Sequence, residues 1–87
     1  MNLDPQVLHR LVKVTMPFGK YGGRVIADLP EAYLLWFANK GFPQGELGEL
    51  MALMLVIQEN GLESLLDPLR PKNPNEVRGN NSGSNLL

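Results

Sequence analysis

Apolar residues recur at helical spacing in three stretches of the chain, and one stretch between them changes period. At the start, Leu3, Val7, Leu8, Leu11 and Val12 fall on one arc while Gln6, His9, Arg10 and Lys13 gather on the other, which predicts a helix from about Pro5 to Val12. Asp4 followed by Pro5 is a start signal, because Asp accepts from the free N–H groups of a first turn and Pro fits that turn without losing a bond. From Lys13 to Ile26 the pattern changes: Val14, Thr15, Val25 and Ile26 favour strands on either side of a turn containing Gly19, Gly22 and Gly23. A short β-hairpin near residues 14–26 is expected, with Phe18 and Tyr21 anchoring the loop and Lys20 and Arg24 pointing out.

A second helix starts at Asp28, Leu29, Pro30 and Glu31, runs to about Lys40 and stops at Gly41. Tyr33, Leu34, Trp36 and Phe37 share a broad arc that Leu29 extends by one turn, and in so small a domain this arc reads as the aromatic wall of the core, with Trp36 largely buried. After the tight connection Phe42 to Gly45, a third helix reaches about Gln58. Leu47, Leu50, Met51, Leu53, Met54, Leu55 and Ile57 cover more than half its circumference, so it must be central or dimeric. Asn60 and Gly61 end it, Leu62 folds back on its last turn, and Leu65 and Leu66 predict one further turn before Pro68. The expected fold class is therefore mainly α (α+β): one small domain over 1–69, of three to four helices with one short β-hairpin. Residues 70–87, rich in Pro, Asn, Gly and Ser, read as a disordered tail.

Composition narrows the chemistry. The chain has 87 residues and no cysteine, so apolar packing must hold the fold without disulfides or thiolate metal sites. Its most apolar run, Leu50 to Ile57, is far shorter than the ~20 residues that span a bilayer, and no basic leader with an apolar segment opens it. A cytoplasmic place with no membrane partner is expected. The single His9 lies on the polar arc of the first helix, Glu46 and Glu49 are explained by a helix start, and Ser82 and Ser84 lie in the tail. No catalytic residue, metal site or cofactor is predicted, and the chain reads as a binding module rather than an enzyme.

Charge adds a candidate partner. Arg10, Lys13, Lys20, Arg24 and Lys40 face only Asp28 and Glu31 within residues 10–40, whereas Glu46, Glu49, Glu59, Glu63 and Asp67 have no Lys or Arg among residues 41–69. Two packed halves of opposite charge would explain this, and so would an anionic ligand for the basic half. The glycine loop can offer N–H groups to an anion, but Tyr21 follows Lys20 where a phosphate-binding P-loop has Ser or Thr.

The segments Met16-Pro-Phe-Gly-Lys-Tyr-x-Gly-Arg, Ala27-Asp-Leu-Pro, Tyr33-Leu-Leu-Trp-Phe, Lys40-Gly-Phe-Pro-x-Gly-x-Leu-Gly-Glu-Leu and Glu59-Asn-Gly-Leu closely resemble a family of short bacterial proteins. That family is called "putative quorum-sensing-regulated virulence factor" and is otherwise of unknown function. The resemblance covers roughly residues 3 to 69, with one departure at Gly22, where many relatives carry Lys. The stretch from PFGKYGG through LPEAYLLWF also resembles the segment that follows the nuclease domain in some three-prime exonucleases, which implies a nucleic-acid setting without the nuclease's acidic metal ligands.

Two functions follow as expectations. One is a nucleic-acid-associated accessory module using Lys13, Lys20, Arg24 and Lys40 around the glycine loop, with Tyr21 available for stacking. The other is a protein interaction module or homodimer using leftover apolar surface on the third helix.

Overall fold

The first and last ends of the helical domain answer to local chemical signals. In the computed structural model, which describes residues 3–70, the elements in order are α1 (Pro5–Leu11), a 3-10 turn (Ile26–Asp28), α2 (Glu31–Lys40), α3 (Glu46–Glu59) and a second 3-10 segment (Glu63–Leu69). Asp4 caps α1 by accepting from the Gln6 N–H at 2.8 Å, with Pro5 as the first helical residue. At the other end of the fold, Leu62 N–H donates to the Ile57 carbonyl and Gly61 N–H to the Gln58 carbonyl, while Gly61 sits at φ 65°. These paired bonds close α3 in the left-handed manner expected of Asn60-Gly61-Leu62.

The predicted hairpin is reduced to one antiparallel bridge, Thr15 to Val25, and no strand forms among the described residues. Ile26 N–H donates to Val14 (2.9 Å), Met16 N–H to Arg24 (2.8 Å) and Gly23 N–H to Met16 (2.8 Å). The ladder does not lengthen, since the Arg24 N–H that would pair with the Met16 carbonyl donates to Tyr21 within the glycine loop, and on the other side the chain winds into the 3-10 turn at Ile26. Asp28 belongs to that turn and does not cap α2. Pro30, in extended conformation, is the residue from which α2 starts, and the Asp28 carboxylate instead meets Arg70 at 2.9 Å. Apart from Arg70, the segment expected to be a tail lies outside the described residues.

α3 is the central element. Leu50, Met51, Met54, Leu55 and Ile57 are buried, and α1, α2 and the first 3-10 turn all pack against this helix. Gln58 adds a polar tie, its Nε2 donating to the Leu29 carbonyl at 2.7 Å. One α3 residue carries unusual weight. A Cβ on Gly48 would collide with the carbonyl of Pro43, so only glycine lets the Phe42 to Gly45 connection lie directly on the first turns of α3.

Two expectations need correction. The apolar surface of α3 is not left over: Leu47, Leu53 and Val56 are half-buried, and the exposed large apolar residues lie on other elements. Nor is the aromatic arc of α2 a core wall. Leu34 alone is fully buried there, Tyr33 and Phe37 are half-buried, and Trp36 is 55% exposed. An arc from Tyr33 to Phe37 is wider than one packing partner can cover, so α3 takes the Leu34 side and the glycine loop takes the Tyr33 and Phe37 side. Trp36 is left at the outer lip. Among the described residues, no helix is long and apolar enough to cross a membrane.

Candidate functional site

The glycine loop reaches α2 because of one residue without a side chain. Gly19 has φ 79°, a region that disfavours larger residues, and a Cβ there would stand 3.1 Å from the Tyr33 hydroxyl. Glycine thus lets the loop press its aromatic residues onto the helix. Tyr21 meets Tyr33 edge to face with centroids 4.7 Å apart, Tyr33 meets Phe37 at 5.2 Å, and Phe37 meets Trp36 at 5.1 Å, each pair close to perpendicular. Phe18 reaches the same cluster from the loop, 6.4 Å from Phe37.

Between loop and helix lies an open groove of about 560 Å³, lined by Phe18, Gly19, Lys20, Tyr21, Pro30, Ala32, Tyr33, Trp36 and Phe37. No carboxylate lines it. Lys20 and Arg24 both lie over the Tyr21 ring, the ammonium nitrogen 5.5 Å and the guanidinium carbon 5.0 Å from its centroid. Such cation–π contacts contribute about 0.5–1 kcal/mol at exposed sites, enough to bias two long side chains toward the rim.

The expected attraction between basic and acidic halves is realised at Arg10 and Glu46. Arg10 Nε and Nη2 donate to the two Glu46 oxygens at 2.8 and 2.7 Å. The hydrogen bond from Arg10 holds the Glu46 carboxyl below its usual range, and that same bond raises the Arg10 guanidinium. Among the described residues the ion pairs are this one and Arg70 to Asp28, so Lys13, Lys20, Arg24 and Lys40 are held by no carboxylate there.

Of the predicted site residues, Lys20 and Tyr21 line the groove and Arg24 joins them through the Tyr21 ring. Lys40 falls three and four residues beyond Phe37 and Trp36, which continues their face of α2 by one turn. Lys13 follows the end of α1 and is not among the residues that line the groove. Tyr21 is half-buried, edge-on to Tyr33 with the cations over its ring, so it holds the rim rather than offering an open face. The exposed aromatic surfaces are Trp36 and Phe18, the latter 46% exposed, and neither was among the residues picked out from sequence. A signal for them existed. Ala32, Tyr33, Trp36, Phe37 and Lys40 share one side of α2 with the lysine near its middle, an arrangement that a buried face avoids. Among the described residues, no group of three or more His, Asp or Glu side chains is placed to hold a metal ion.

Residues 4–69 match the family described as "Putative quorum-sensing-regulated virulence factor". The chain belongs to that family. It is 51% identical over 69 residues to "Uncharacterized protein YpeB" of Escherichia coli strain K12, an alignment covering 78% of this chain and 96% of the relative. The protein of the same description from Escherichia coli O157:H7 gives the same figures. No solved structure matches the chain. The family match runs from the Asp4 cap of α1 to the end of the second 3-10 segment, so the groove and its rim lie wholly within it.

Proposed function

We propose that this protein is a non-catalytic, cytoplasmic binding module whose ligand is nucleic acid, held on the groove between the glycine loop and α2. One observation carries the reading. Exposed Trp36 and Phe18 stand in a groove free of carboxylates, with Lys20 and Arg24 set over Tyr21 at its rim. A polyanion with planar apolar parts satisfies both features, whereas a neutral ligand leaves the cations unanswered. No carboxylate lines the groove, Glu46 is engaged by Arg10, and helical spacing puts Glu31 on the opposite side of α2. The groove lining also holds no histidine, serine or carboxylate to move a proton or attack a bond.

Trp36 is the single tryptophan of the chain, so intrinsic fluorescence reports on the groove directly. Titration with an oligonucleotide at low salt should change that emission, with an affinity that falls steeply as salt rises, because phosphate contacts release counterions. Lys20→Glu combined with Arg24→Glu should remove binding and leave the domain folded. Affinity no tighter than ~10⁻⁴ M at low salt would reject the reading.

The alternative, an interaction module or homodimer, moves from α3 to α2, where Leu35 and Trp36 are both exposed. A dimer joined there would hide Trp36 and double the mass found by sedimentation, and a monomeric mass removes the homodimer.

A further inference from the structure

We infer that the groove receives unpaired bases, so that the ligand is single-stranded nucleic acid taken with little regard to sequence. The inference rests on the nucleic-acid reading above and asks what the aromatic surface adds to the charges. A duplex presents phosphates outward and keeps its base faces stacked within, so a rigid double helix laid on this surface would leave Trp36 and Phe18 with nothing apolar to meet. An unstacked base supplies a flat π-face for them, and every base has one.

The layout fits a strand in three respects. The groove is open to solvent, about 560 Å³ in volume, and five of its lining residues are aromatic. Lys20 is the one cation among the lining residues. Lys20 and Arg24 lie over Tyr21 at one border, and Lys40 continues the Trp36 and Phe37 face by a further turn of α2, which leaves a phosphate path running beside the bases. The lining lacks the Asn, Gln, Asp or Glu side chains that read adenine and cytosine edges, its one cation, Lys20, lies over the Tyr21 ring, and the Tyr33 hydroxyl lies close to Gly19. Stacking with charge and with few edge readers gives binding that is strong for exposed bases and tolerant of their identity.

The test uses the full chain and four probes: a single-stranded oligonucleotide, the same strand annealed to its complement, an abasic strand of equal length that keeps sugars and phosphates, and a proline-rich peptide. Binding of the single strand should exceed that of duplex and abasic strand by roughly tenfold or more. Oligonucleotides of different base composition should differ little. Trp36→Ala should bring single-strand affinity down to the abasic level while abasic binding stays unchanged, with the thermal midpoint showing that the variant is folded. Equal affinity for single strand, duplex and abasic strand would overturn the base-pocket inference alone, since charge would then account for all binding. Binding of the peptide with no affinity for any polynucleotide would overturn the nucleic-acid reading itself.

Discussion

The ring of Tyr33 meets the ring of Tyr21 at 4.7 Å and 71°, and this contact couples the glycine loop to α2. Tyr33 also touches Phe37 at 5.2 Å. Edge-to-face pairs contribute about 0.5–1.5 kcal/mol each beyond burial, so Tyr33→Ala should lower stability by about 2 kcal/mol or more and release the loop. Urea unfolding measures the first effect and amide exchange at Gly19 to Gly23 the second. An unchanged urea midpoint would mean that the loop holds its place without the helix.

Leu34 and Trp36 are two residues apart on α2, yet their truncations should behave oppositely. Leu34 is fully buried, so Leu34→Ala should cost about 2–5 kcal/mol, a large share of the stability of so small a domain. Trp36 is more than half exposed, and Trp36→Ala should cost about 1 kcal/mol or less. Thermal midpoints of the two variants, compared side by side, decide the matter. A larger loss at Trp36 than at Leu34 would restore the aromatic wall to the core.

Gly48 lies inside α3, where alanine would ordinarily stabilise a helix by about 1 kcal/mol. Here the sign should reverse. The added methyl meets the Pro43 carbonyl and approaches Phe42 Cβ at 3.3 Å, and backbone in a short connection cannot step aside. Gly48→Ala should lower the melting midpoint, and a rise would show that the connection has room to give.

Glu46 gives the fold a pH dependence of known direction. Its carboxyl is held below the usual range by the hydrogen bond from Arg10, so the folded pKa is depressed relative to the unfolded one. The pair's stabilisation is then fully present above the ordinary glutamate range and is lost as pH falls through the depressed value, from about pH 5 downward. Glu46→Gln should flatten the fall of the midpoint in that window. Both side chains are half exposed, so the difference should be small and should shrink with added salt. Identical acid limbs for the two proteins would show that the pair contributes nothing in solution.

Much of this architecture was legible because local chemistry decided it. Asp4-Pro5 and Asn60-Gly61-Leu62 are short-range signals, and both act as read. The apolar cover of α3 announces a central or dimeric helix, and within the domain it is central. The hairpin is not realised, although the β-branched residues Val14, Thr15, Val25 and Ile26 favour strands, because the Arg24 N–H turns to Tyr21 inside the loop and the chain winds into a 3-10 turn at Ile26. Trp36 was misplaced for a different reason. Size and hydrophobicity argue for burial, but which side of a helix is covered depends on partners far apart in sequence, here α3 and the Gly19 loop. Lys20, Tyr21 and Arg24 could be found as a cluster because they are neighbours in the chain. Lys13, a full helical turn and more before Lys20 in the chain, does not line the groove.

The central claim is that one face of this small domain, the loop from Phe18 to Arg24 together with the Trp36 side of α2, is the ligand surface. Backbone amide resonances followed during titration with a single-stranded oligonucleotide test it most directly. Shifts should concentrate at residues 18–24 and 32–40, together with the Trp36 indole N–H, and leave Leu50 to Glu59 of α3 unmoved. Shifts centred on α3, or on α1 around Lys13, would contradict the account.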